Sequence, residues 1–135
     1  MTLLPIRLHP GDDLRPALEA AVRASGCNAA FVISGIGSLS LVSLRLAGAV
    51  DAQTLDGDYE ILTLAGSITA NGSHLHLSIA DASGQVLGGH AGIGCRVRTT
   101  AEVLLALLPD WDLSRAFDPA TGYAELMLRA SSPPK

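Results

Sequence analysis

At 135 residues, with 48% apolar and 16% charged side chains, the chain can build a hydrophobic core and is too apolar for global disorder. Nine Lys and Arg against thirteen Asp and Glu leave a formal charge of −4. That is the wrong sign for a protein that binds nucleic acid by displacing counterions from phosphates. Only 4% of the residues are aromatic, which suits an aliphatic core better than a base-stacking surface.

Residues 3 to 9 alternate loosely and predict a first strand ending at Pro10-Gly11. The start MTLLPIRLHPGDD has no basic stretch leading into a long apolar run, so no signal peptide is expected. Asp12 and Asp13 then offer N-cap oxygens to a helix over about residues 14–25. Pro16 falls in its first turn, Leu14, Leu18, Ala21 and Val22 form its apolar face, and Gly26 follows as its stop.

From Ala29 the period changes. Residues 29–34 predict a buried strand, Gly35-Ile36-Gly37-Ser38 a tight turn, and 39–47 a half-buried strand. Segment 50–57 reads as loop, and strands are expected near 59–70 and 73–80. Beyond the turn at Asp81-Ala82-Ser83-Gly84, strands are expected at 85–91 and 93–99. The run AEVLLALL at 101–108 fits helix or strand; 109–121 is turn-rich, 123–129 is a last strand, and the SSPPK tail is expected to be disordered. Strands joined by short turns predict one α/β (α+β) domain over residues 1–130, with a largely antiparallel, twisted sheet flanked by one or two helices. No apolar run approaches membrane-spanning length, so a soluble cytoplasmic protein is the expectation.

Three of the four histidines, His74, His76 and His90, lie within seventeen residues. On a strand His74 and His76 share a face with Ser78, while Leu75, Leu77 and Ile79 take the core face. A three-residue loop Ala82-Ser83-Gly84 would pair Asp81 with Gln85 and set His90 directly opposite His76. A two-residue loop at Ser83-Gly84 would send His90 to the other face, and a bulge at Gly88-Gly89 could also shift it. Three neutral imidazoles with one open position can hold a divalent metal, zinc above all. The other reading is a polar sheet face whose histidines meet water or a second subunit. Glu60 and Glu102 stand beside apolar residues and are candidates for general acid–base work or metal support, or else are solvated or salt-bridged. The pair Arg96 and Arg98 would share a strand face, as a small anion patch or, more simply, as two solvated arginines. Cys27 and Cys95 match no disulfide framework or CxxC metal site and read as buried thiols. His9 is isolated, and Gly35-Ile36-Gly37-Ser38 lacks the third glycine of a phosphate loop.

These motifs fall in a familiar order: Arg7-Leu8-His9-Pro10-Gly11-Asp12-Asp13-Leu14, Ser34 to Leu39, Gly57-Asp58-Tyr59-Glu60-Ile61-Leu62, His74-Leu75-His76, Gly84 to His90, and Thr100-Ala101-Glu102-Val103. Together they resemble the plants-and-prokaryotes-conserved (PPC) domain over roughly residues 5 to 128, here as a stand-alone prokaryotic-type member. The resemblance implies a fold similar to that of acetolactate decarboxylase, whose zinc is held by an HxH pair and a third histidine. Carried over, His74, His76 and His90 become the ligands of zinc or another divalent metal. It also implies a homotrimer, with the GDYEIL-like segment near the subunit contacts. Plant members carry an AT-hook ahead of this domain, and this sequence has neither that motif nor a basic arm, so nucleic acid is not the expected partner. The leading expectation is a homotrimeric assembly or binding module with a three-histidine metal site and a small-molecule ligand. The alternative is a zinc-dependent enzyme on a small keto or hydroxy acid, and DNA binding comes third.

Overall fold

The computed structural model describes residues 1–131. Asp13 occupies the N-cap of the helix α1 (Leu14–Ala24), but its carboxylate does not cap the helix. It accepts the Gly94 N–H instead, at 2.9 and 3.1 Å, and so ties the helix start to a distant loop. Leu14, Leu18 and Val22 are the buried stripe of the helix, as their spacing predicts. Gly26, at φ 74, follows the helix in the left-handed region that stops it.

Six strands form the main sheet in the order β1-β6-β2-β3-β4-β5, with every pairing antiparallel. They are β1 (Thr2–Leu8), β2 (Ala29–Arg45), β3 (Gln53–Thr69), β4 (Gly72–Ala80), β5 (Val86–Ala91) and β6 (Arg96–Leu107). At its far end β5 also pairs with β2, through Leu44–Ala91 and Arg45–His90, so β2, β3, β4 and β5 close into a ring. Leu39, Leu44, Leu75, Ile79 and Leu105 fill the enclosed core against α1. A second sheet, β7 (Trp111–Asp118) with β8 (Tyr123–Ala130), is a hairpin fastened to the first where Ala70 N–H donates to the Leu113 carbonyl at 3.3 Å. None of the helices among the described residues is long and apolar enough to cross a membrane.

The α+β architecture follows the expectation, with one helix among the described residues. Several segments differ. Residues 35–38 form no turn, because β2 runs unbroken from Ala29 to Arg45. The glycines there answer to packing: a Cβ on Gly37, at φ 151, would overlap the Thr100 carbonyl and lie 2.7 Å from the Ala101 Cα. Segment 50–57 is loop only to Ala52, since β3 begins at Gln53. The strand expected at 93–99 starts at Arg96 and continues through the ambiguous run as far as Leu107, because β6 is paired on both sides, by β1 and β2. Such a central strand buries an apolar run that has no helical or alternating signature. The turn-rich segment 109–121 contains β7, which buries Leu113 alone and mixes Asp112, Ser114, Arg115 and Asp118 with exposed Trp111 and Phe117, a pattern that hides its strand character. The SSPPK tail lies outside the described residues except for Ser131.

Candidate metal centre

Asp81 fixes the register that assembles the site. Its Oδ1 accepts the Ser83 N–H at 2.9 Å, the Ser83 hydroxyl at 2.7 Å and the Gln85 N–H at 3.0 Å. These bonds hold its carboxyl below the usual range, the Ser83 hydroxyl contributing most. Asp81 N–H donates to the Gln85 carbonyl at 2.9 Å, and Gly84, at φ 81, closes the loop. The ladder then runs without a shift from Ala80–Val86 to His76–His90. On β4 Leu75, Leu77 and Ile79 are buried while His74 and His76 are exposed on the opposite face. Gly89 lets β5 approach β2 closely, since a Cβ there would sit 2.6 Å from the Arg45 carbonyl oxygen.

The three imidazoles converge. Ring centroids are 4.7 Å apart for His74 and His76, 5.0 Å for His74 and His90, and 5.8 Å for His76 and His90. One nitrogen of each ring lies within 4.8 Å of the others, and His74 Nε2 faces His76 Nε2 at 3.0 Å. Nitrogen ligands of a tetrahedral zinc lie about 3.4 Å apart, so small side-chain adjustments would suit the set. Among the described residues His90 Nδ1 is buried without a hydrogen-bond partner, as an atom reserved for a ligand would be. Burial, then the neighbouring His74 and Arg45, depress the His90 pKa to about 4. Burial, then His76 and Arg115, lower that of His74. Both rings are therefore neutral at pH 7, the form that binds metal.

A cavity of about 460 Å³ opens beside His74 and His90, under the β7–β8 hairpin. Its walls carry Arg15 from α1, Arg45 from β2, Arg115 from β7 and Glu125 from β8. Arg45 is the direct cross-strand neighbour of His90. Arg115 donates to the Ser67 hydroxyl at 2.6 Å, and Ser67 is the cross-strand neighbour of His74. Asn71 clamps the Arg115 backbone, accepting its N–H at 2.8 Å and donating to its carbonyl at 3.1 Å. Burial lowers the Arg115 pKa, which Glu125 partly offsets.

Glu60 and Glu102 do not join this cluster. Glu60 is exposed and pairs with Ala80, four positions along β4 from His76, which is roughly 13 Å of strand. Glu102 is exposed on β6, opposite Arg7 and Ile36. Arg96 and Arg98 form no free anion patch: Arg96 donates to the Gly11 carbonyl at 3.0 Å, and Arg98 pairs with Asp58 at 3.0 Å. His9 is exposed, and Cys27 and Cys95 are buried free thiols. The arginines and Glu125 were not singled out by sequence, because residues 15, 45, 115 and 125 meet only through tertiary folding. One signal was present: Arg15 sits in a first helical turn without acidic residues, where the macrodipole disfavours a cation.

The Plants and Prokaryotes Conserved (PCC) domain profile matches residues 1–109. A curated relative, the bifunctional protein GlmU of Synechococcus sp. (strain JA-2-3B'a(2-13)), is 47% identical over 129 residues, 96% of this chain. The chain spans 20% of that relative's length. A solved protein from Salmonella enterica is 37% identical with a TM-score of 0.91, covering 96% of this chain and 94% of that one. A metal-containing protein from Archaeoglobus fulgidus shares the fold at a TM-score of 0.74 and 24% identity, covering 94% of each chain. DNA binding figures in the descriptions of other solved neighbours.

Proposed function

The chain belongs to the Plants and Prokaryotes Conserved domain family, and from that premise we propose that it is a homotrimeric binding module with a divalent metal, zinc foremost, on His74, His76 and His90. The observation that carries this reading is the convergence of three imidazoles around a buried His90 Nδ1 that has no hydrogen-bond partner among the described residues. Bound there, zinc would supply a Lewis acid with a coordination position left for a ligand. The trimer is supported by the outer face of the sheet. Ile36 and Leu62, each one residue beyond the Gly37–Ile61 pair, are 53% and 46% exposed, and Phe31 and Ile33 extend the apolar surface along β2. Apolar surface of that kind on a sheet face is characteristic of subunit contacts. Leu62 ends the GDYEIL segment that the family resemblance places near such contacts.

One observation favours the enzymatic alternative, a zinc-dependent reaction on a small keto or hydroxy acid: the cavity reaches His74 and His90 from the side that carries Glu125. In that reading Glu125 is better placed to move protons than Glu60 or Glu102. DNA binding has less support, since the net charge is −4 and three arginines line a cavity rather than a surface stripe. The two buried, free cysteines accord with a reducing, cytoplasmic setting.

Cobalt(II) tests the site directly. Metal-free protein titrated with cobalt should develop visible absorption of a low-coordinate nitrogen site, saturating at one ion per chain. The His74→Ala/His76→Ala protein should develop none. An identical spectrum in that variant would remove the three histidines as the ligand set.

A further inference from the structure

The arginine wall of the cavity is not explained by the fold or by a metal. Arg45 and Arg115 have no carboxylate within salt-bridge distance among the described residues. A guanidinium offers five N–H donors. Ser67 takes one from Arg115 at 2.6 Å, and the Ala49 carbonyl takes one from Arg45 at 3.3 Å. Arg15 does have an acidic partner, Glu19 at 3.1 Å, in the order on a helix that stabilises less. Ser73 also donates to Glu19, at 2.5 Å, and so shares that carboxylate. Among the described residues the cavity lining therefore holds three arginines against one carboxylate, Glu125.

Gathering like charges in a partly buried space works against folding, and a stability role would supply them with carboxylates. The Asn71 clamp and the Ser67 bond instead hold Arg115 in place with donors to spare. Planar guanidinium groups recognise oxyanions through paired N–H donors. A volume of about 460 Å³ suits a small molecule, not a polymer.

We propose that this cavity binds a small organic oxyanion, a carboxylate or a phosphate ester, gripped by Arg45 and Arg115 with Arg15 completing the positive wall. The rest of the ligand would extend toward His74 and His90, beneath Tyr123 and Ala124. Arg115, Tyr123 and Ala124 belong to the β7–β8 hairpin, which lies beyond the residues 1–109 matched by the family profile. The hairpin would thus set ligand selectivity in this chain. The inference rests on the arginines and does not require a bound metal.

Calorimetric titration of the metal-free full chain with malonate, and separately with inorganic phosphate, tests it against sodium chloride at equal ionic strength. Saturable binding of malonate or phosphate is expected, and the tighter of the two identifies the oxyanion class. Arg45→Gln and Arg115→Gln should each weaken it about tenfold or more, with far-UV circular dichroism checking the fold. If either variant fails to fold, Arg15→Gln takes its place, since Ser73 still holds Glu19. The His74→Ala/His76→Ala protein should keep oxyanion binding while losing metal, so the two sites fail or stand separately. No binding beyond the chloride control, or binding unchanged in the arginine variants, would overturn the proposal.

Discussion

Gly66→Ala tests how tightly the sheet holds the histidines. Gly66 lies on β3 opposite Leu75, at φ 155, a conformation that a side chain strains. A Cβ there would overlap the His74 carbonyl oxygen and stand 2.9 Å from the Leu75 Cα. Both neighbours are backbone of β4, so the strand that carries His74 and His76 must move. A sparsely populated backbone conformation costs about 1–3 kcal/mol, and overpacking a filled core costs about as much again. A total near 3 kcal/mol would lower Tm by roughly 10 °C for a domain of this size. Gly72→Ala separates the two contributions: its φ is 145, but nothing lies within 4 Å of the added Cβ. It should therefore lose only the conformational part. Thermal unfolding with cobalt titration reads both stability and site, and Gly66→Ala should also weaken metal binding by about tenfold, as the loss of supporting contacts around a metal typically does. A Gly66→Ala protein within about 2 °C of wild type and unchanged in metal affinity would refute this picture of a site built on a rigid crossing.

Two further outcomes are expected. In metal-free protein His90 is pulled down to about 4 and His74 is lowered from an ordinary 6.5. Across that window the unfolded chain binds more protons than the folded one. Stability is then full above pH 6.5 and falls as the pH drops toward 4; Tm against pH should decline less steeply in His90→Gln, and equal slopes would count against the neutral-histidine site. In sedimentation equilibrium the chain should run at three times its 13.9 kDa mass, and Ile36→Asp/Leu62→Asp should reduce it to monomer; a wild-type monomer, or a double variant that stays trimeric, would exclude this face as the contact.

Local chemistry was legible in the sequence where one short segment decides the outcome. The α1 stripe of Leu14, Leu18 and Val22 needed only helical spacing. The opposition of His76 and His90 needed the hairpin length, which Asp81 and Gly84 dictate, and a ladder without a bulge at Gly88-Gly89. Legibility ended where distant strands decide. Residues 101–108 have no intrinsic preference that excludes helix, and pairing with β1 and β2 settles them as strand up to Leu107. Gly35 and Gly37 resemble turn residues, yet they serve close packing against Leu64, Thr100 and Ala101. The arginine wall was hidden for the same reason, because Arg15, Arg45 and Arg115 come from a helix and two strands far apart in the chain.

Elemental analysis of untagged protein, beside the His74→Ala/His76→Ala variant, tests the metal centre most directly. The account predicts close to one zinc or equivalent divalent ion per chain in wild type and none in the variant. Wild-type protein that holds no metal after reconstitution, or a variant that holds as much as wild type, would contradict it.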